Sequence, residues 1–192
     1  MSETVDKIRD ILLEKCERHK KNPKYGYYDY WNDHIKPVVK YAVYLAEQYG
    51  ADVEIVELGA LLHDISMPSE YGERSEHHIY SAEMAEKLLT ELNYPQDRIG
   101  LVRKCVFNHA GRNAHLRDTL EENCVSDADA LAHFDRIPSL FCLAYNIHGM
   151  SLDEGREYVK ERLQGDINGL SERTKLMYKS KLEAIMQNVF VD

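Results

Sequence analysis

Ile55-Val56-Glu57-Leu58-Gly59-Ala60-Leu61-Leu62-His63-Asp64-Ile65 is an apolar, helix-forming run that closes on an imidazole and a carboxylate. A core prefers no polar groups, and buried ones are costly unless something satisfies them. A bound divalent metal would satisfy both side chains at once. Working outward, His34 lies upstream of the pair, and His77, His109 and Asp129 lie downstream. A helical fold can bring all of them together.

The apolar period is helical nearly everywhere. Residues 4–19 place Ile8, Ile11, Leu12 and Cys16 on one side, and residues 31–49 carry a broad stripe from Ile35 to Ala46. Asp52 is the expected N-cap of a helix over 53–66, which Pro68 stops, and Ser75 the expected cap of a helix over 76–92. Further helices are expected over 96–110 and over 120–148, the latter kinked at Pro138. Ser151-Leu152-Asp153-Glu154 has the capping-box pattern and opens a helix to about residue 163; the last runs from about 171 to 189. Loops are expected at 21–30, 67–75 and 111–118. The sum is an all-α, single-domain bundle of about seven or eight helices spanning 1–192. Its amphipathic helices in 150–192 complete the core or an oligomer interface, so a homo-oligomer is compatible with the pattern.

A chain of 192 residues is long enough for one sizeable core. Its formal charge of −9 argues against non-specific nucleic-acid binding, which needs a basic surface. A small phosphorylated substrate remains open, because a metal can supply local positive field. Cys16, Cys105, Cys124 and Cys142 are widely spaced, which indicates neither a zinc knuckle nor a disulfide framework. With scattered thiols, no signal-peptide pattern and no membrane-length apolar run, the expected location is cytoplasmic.

Each special residue lies at or beside the apolar stripe of its helix. His34 shares a face with Val38, Tyr41 and Leu45; His63 with Val56 and Ala60; and His77 with Ser81, Met84 and Leu88. His109 follows Val102, Cys105 and Val106, and Asp129 sits between Val125 and Ala132. Helical bundles build interior metal sites in this way. Imidazole with carboxylate suits Mn, Fe, Co, Ni or Zn, whereas Mg, also admissible, would favour an all-oxygen shell. Two ions could share Asp64 as a bridge.

The order His34, His63-Asp64, Asp129 resembles the H…HD…D signature of the HD-domain superfamily of metal-dependent phosphohydrolases, over roughly residues 30–145. Leu61-Leu62-His63-Asp64-Ile65 is similar to the family's apolar-apolar-HD-apolar segment, and Ser126-Asp127-Ala128-Asp129-Ala130-Leu131 to its D-A-D-x-L stretch. His77, followed by Ser81-Ala82, and His109 correspond to two further histidines of several branches. The resemblance implies that His34, His63, Asp64 and Asp129 ligate a divalent metal. It implies that His77 and His109 bind a second ion or the substrate phosphate. One departure is Met67, where the nucleoside-monophosphatase branch carries glutamate, and it argues against that activity.

The implied reaction is hydrolysis of a phosphoester or phosphoanhydride, in a nucleotide or related small metabolite, by a metal-activated water. The catalytic residues expected are Asp64 and His63, and Arg74, Arg112 and Arg136 are candidate phosphate partners. The alternatives are a nucleotide-sensing HD module without turnover, or an HD-type di-iron oxygenase. Locally, His78 competes with His77, and Asp127 with Asp129. His133 either steers Asp129 or packs as an ordinary core residue, and His19, His115 and His148 read as surface or helix-end residues. The 67–75 segment reads equally as a lid or as a connector.

Overall fold

The structure, a computed structural model, describes residues 2–23 and 28–190. Nine α-helices and no strand form within them: α1 (Glu3–Lys20), α2 (Lys36–Tyr49), α3 (Val53–Leu62), α4 (His77–Glu91), α5 (Gln96–Asn108), α6 (Leu120–Asp135), α7 (Ile137–Cys142), α8 (Leu152–Gly169) and α9 (Glu172–Val189). Side-chain oxygens of Ser2, Asp52, Thr119, Ser151 and Ser171 each accept from the backbone N–H three residues on. They satisfy donors that the first turn of a helix leaves without partners. The capping box at Ser151 and Glu154 forms as expected. Ser75 caps nothing; it falls inside a tight turn over Arg74–Glu76, and α4 starts without a side-chain cap.

Helix α3 is the hub. Ile55, Val56, Leu58, Gly59, Ala60, Leu61 and Leu62 are buried around most of its circumference, as in a helix enclosed by neighbours. It packs against α1, α2, α5 and α6. Each fully buried Leu or Ile there contributes about 1.5–3 kcal/mol. Gly59 is the point of closest approach: a Cβ would sit 2.9 Å from Cys105 Cβ and 3.0 Å from Val125 Cγ2. Helices α8 and α9 add Val159, Leu163 and Leu182 to the same buried cluster.

Three expected helices differ from the structure. The helix over 53–66 stops at Leu62, and the chain turns through 63–70. The helix over 120–148 breaks rather than kinks: Arg136 is non-helical at φ −127°, and Pro138 sits in the first turn of α7. Proline is tolerated there because that turn needs no N–H donor. The helix from Ser151 continues past 163 to Gly169. The break at Arg136 makes nine helices of the expected seven or eight. Of the expected loops, 21–30 includes residues 24–27, which lie outside those described, and 111–118 contains a tight helical turn at Gly111–Leu116. Among the described residues no helix is long and apolar enough to cross a membrane.

Gly59→Ala should lower stability by about 1–3 kcal/mol in urea unfolding, because overpacking forces α3 away from α5 and α6. An unchanged midpoint would contradict this close contact.

Candidate metal centre

Two segments with five-residue hydrogen-bonded turns, Trp31–Ile35 and Leu143–Ile147, border the site. Such wide turns re-aim side chains and recur at functional sites. The first carries His34 inward at the start of α2. His63 and His109 stand just past the last residues of α3 and α5, His77 opens α4, and Asp129 lies within α6. The structure thus brings all six expected ligand candidates to one place.

The backbone fixes three of the imidazoles. His63 Nδ1 donates to Ala60 O at 2.7 Å, His109 Nδ1 to Val106 O at 2.5 Å, and His77 Nδ1 to Arg74 O at 3.0 Å. Ala60 and Val106 belong to helix ends, where carbonyls lack helical partners. A carbonyl only accepts, so each Nδ1 carries the proton, and in the neutral ring each Nε2 presents a lone pair.

Those lone pairs converge. His34 Nε2 lies 2.9 Å from His63 Nε2, and His77 Nε2 lies 3.2 Å from His109 Nε2. Asp64 stands between the two pairs: Oδ2 is 3.3 Å from His34 Nε2, and Oδ1 is 3.3 Å from His77 Nε2 and 3.6 Å from His109 Nε2. Asp129 Oδ1 approaches His34 Nε2 at 3.4 Å. Asp64 Oδ1 and Asp129 Oδ1 are buried without a hydrogen-bond partner. The facing lone pairs of His77 and His109 and the orphaned carboxylate oxygens call for a cation between them. His34, His63 and Asp64 form one group that could hold a metal ion, and Asp64, His77 and His109 form another.

The electrostatics differ from ring to ring. Burial pushes His63 down to about 4, so its ring stays neutral. Burial would also lower His34 and His109, but neighbouring carboxylates, Asp64 foremost, raise both. Burial opposes the charge on Asp64, yet the surrounding imidazoles hold it well below the usual carboxylate range; Asp129 is lowered in the same way.

The local alternatives separate cleanly. Asp127 is fully buried and accepts from Ser171 N at 2.9 Å and Thr174 Oγ1 at 2.6 Å, fastening the start of α9. His78 packs beside Phe107 instead of entering the cluster. His133 is more than packing: it stacks on His34, puts Nε2 3.7 Å from Asp129 Oδ1, and bonds Asp166 Oδ2 through Nδ1 at 2.9 Å.

A cavity of about 400 Å³ opens on the cluster. Arg74 and Arg112 line it; Arg136, exposed on the non-helical backbone of the α6–α7 break, does not. Sequence reasoning missed Arg162, Tyr28, Tyr30, Tyr158 and His148, which also line it. The count of thirteen tyrosines and the Arg162-x-x-x-Asp166 spacing were the available signals. Burial keeps both phenols neutral, Tyr30 up to about 12 and Tyr28 well above its ordinary value, and Arg74 Nη1 donates to Tyr30 Oη at 3.3 Å. The 67–75 segment supplies Met67, Arg74 and Ser75 to the cavity wall.

The HD domain family profile matches residues 32–133, over half of the chain and every cluster residue from His34 to His133. Bacillus subtilis YpgQ has a similar fold, with a TM-score of 0.70 at 18% identity over 97% of this chain and 91% of that one; a second structure of YpgQ holds ADP. Listeria innocua Lin1889 gives 0.68 at 16% identity, covering 98% and 94% of the two chains. A protein from an uncultured Thermotogales bacterium, predicted to be an HD superfamily hydrolase, gives 0.55 at 20%, covering 91% of each. Among curated sequences, a Thermoplasma volcanium tRNA (cytidine(56)-2'-O)-methyltransferase is 27% identical over 71% of this chain and 41% of its own length. An uncharacterized Clostridium beijerinckii protein is 26% identical over 43% of this chain and 57% of its own. The chain therefore spans about half the length of these curated relatives.

Asp127→Asn should cost about 1.5–3 kcal/mol in urea unfolding and leave metal content unchanged. Asp129→Asn should lower metal content and leave the unfolding midpoint of the metal-free protein unchanged or higher. The reverse pattern in elemental analysis would exchange the two roles.

Proposed function

Because the chain belongs to the HD-domain family, we propose that it is a metal-dependent phosphohydrolase acting on a phosphoester or phosphoanhydride of a nucleotide or similar small metabolite. The observation that carries this reading is the pair of facing Nε2 groups on either side of one carboxylate, Asp64. His34, His63, Asp64 and Asp129 would hold one divalent ion, and Asp64, His77 and His109 a second. Ions so held would supply a water acidified towards neutrality and a Lewis acid for a phosphoryl oxygen.

The remaining work falls to the chain itself. The carbonyls of Ala60, Val106 and Arg74 keep three imidazoles aimed inward, and Asp166 does the same for His133. Asp64 presents one oxygen to each lobe and would tie the two ions to one carboxylate. Arg74, Arg112 and Arg162 border the cavity, where guanidinium forks offset phosphate charge. The flat faces of Tyr28, Tyr30 and Tyr158 suit a heterocyclic base. Nucleotide binding by the similar YpgQ fold supports that part of the reading. Met67 lines the cavity in place of glutamate, which leaves nucleoside monophosphates the less suited substrates. The methyltransferase relative does not redirect the reading, since the chain matches only 41% of it.

Asp64→Ala should abolish both bound metal and phosphate release from nucleotides while far-ultraviolet circular dichroism stays helical. Wild-type turnover in that variant would sink the assignment. Arg74→Met should raise KM about tenfold, the loss of one charge-assisted hydrogen bond, with a smaller change in kcat.

A further inference from the structure

The cluster is open on a second side. A separate cavity of about 640 Å³ lies between α8, the Gly111–Leu116 turn and the end of α5. It shares His77, His109, Arg112, Asp129 and Arg162 with the tyrosine-walled cavity. The cluster therefore stands at a neck between two spaces, with two guanidiniums common to both.

Only the second cavity contains Arg117. Its Nε donates to Asn108 O at 3.0 Å and its Nη1 to Gly169 O at 3.2 Å. Among the described residues no carboxylate lies within ion-pair distance of it. That charge is held in orientation by neutral carbonyls, and the carboxylates of Asp127, Asp129 and Glu122 attract it only from beyond ion-pair distance. Of the acids lining this cavity besides Asp129, Asp166 is bonded to His133 and faces Arg162 at 3.4 Å, and Glu161 is exposed at the rim. Gly111, Gly165 and Gly169 leave the wall bare: a Cβ at any of them meets nothing within 4 Å.

A substrate that ends at the reacting phosphorus fills only the first cavity. One whose phosphoryl chain continues past the cluster brings its next anion to Arg117. We propose that the second cavity is a binding subsite for a second phosphate joined to the reacting one, so that the substrate is a phosphoanhydride and not a phosphomonoester. This rests on the phosphohydrolase reading above. Water adds its oxygen to the reacting phosphorus, and the bridging P–O bond breaks. The electron pair leaves with the second phosphate, and the proton from water balances the charge on that oxygen. The departing phosphate then lies in a cavity of its own.

The test is calorimetric titration of the full-length protein in excess Mn(II) with inorganic phosphate and with methylenediphosphonate, which does not hydrolyse. The wild type should bind the diphosphonate at least tenfold more tightly than phosphate. Arg117→Gln should remove most of that preference, and so should Gly165→Leu, which fills the cavity without breaking a hydrogen bond. Both variants should keep phosphate affinity within twofold. A preference undiminished in both variants overturns the subsite alone. Failure of the wild type to bind phosphate at all removes the phosphohydrolase reading and the subsite with it.

Discussion

A histidine whose Nδ1 faces a backbone carbonyl has no choice of tautomer, and three such hydrogen bonds surround Asp64. The carbonyls of Ala60 and Val106 come from helix ends, where the backbone has acceptors to spare. Their partners, His63 and His109, therefore turn lone pairs towards the middle of the molecule, where His34 and His77 meet them. Without a cation, those nitrogens and the orphaned oxygens of Asp64 and Asp129 would be buried at a cost of several kcal/mol. The burial of α3, several side chains at about 1.5–3 kcal/mol each, is what holds such a cluster in place.

The fold serves this arrangement at several points. Gly59 lets α3 approach α5 and α6 closely enough for His63, His109 and Asp129 to converge. Asp127, two residues from Asp129 and on the opposite side of α6, ties down α9. One short stretch thus contributes a carboxylate to the centre and another to the architecture behind it. The ring of His133, gripped by Asp166, continues the same logic from α8.

Much of this was legible in the sequence, and the gaps have physical causes. The six inward-facing residues stood out because each broke or bordered an apolar helical stripe. Helix ends were harder: Ile65 is fully buried, so the apolar period runs on beyond Leu62 although the helix does not. Pro138 was visible, but whether it bends a helix or begins one depends on the backbone of Arg136. Asp127 and Asp129 are both shielded acids on one helix, and partners far away in sequence, Ser171 and Thr174, tell them apart. Arg117 and Arg162 were not singled out, because the cavities that they line are assembled from segments far apart in the chain.

The most direct measurement is anomalous scattering at the manganese edge from crystals grown with Mn(II) and no chelator. The arrangement around Asp64 predicts two peaks per chain, one beside His34 and His63 and one beside His77 and His109. A single peak, or peaks that leave Asp64 without contact, would contradict a centre built on that shared carboxylate.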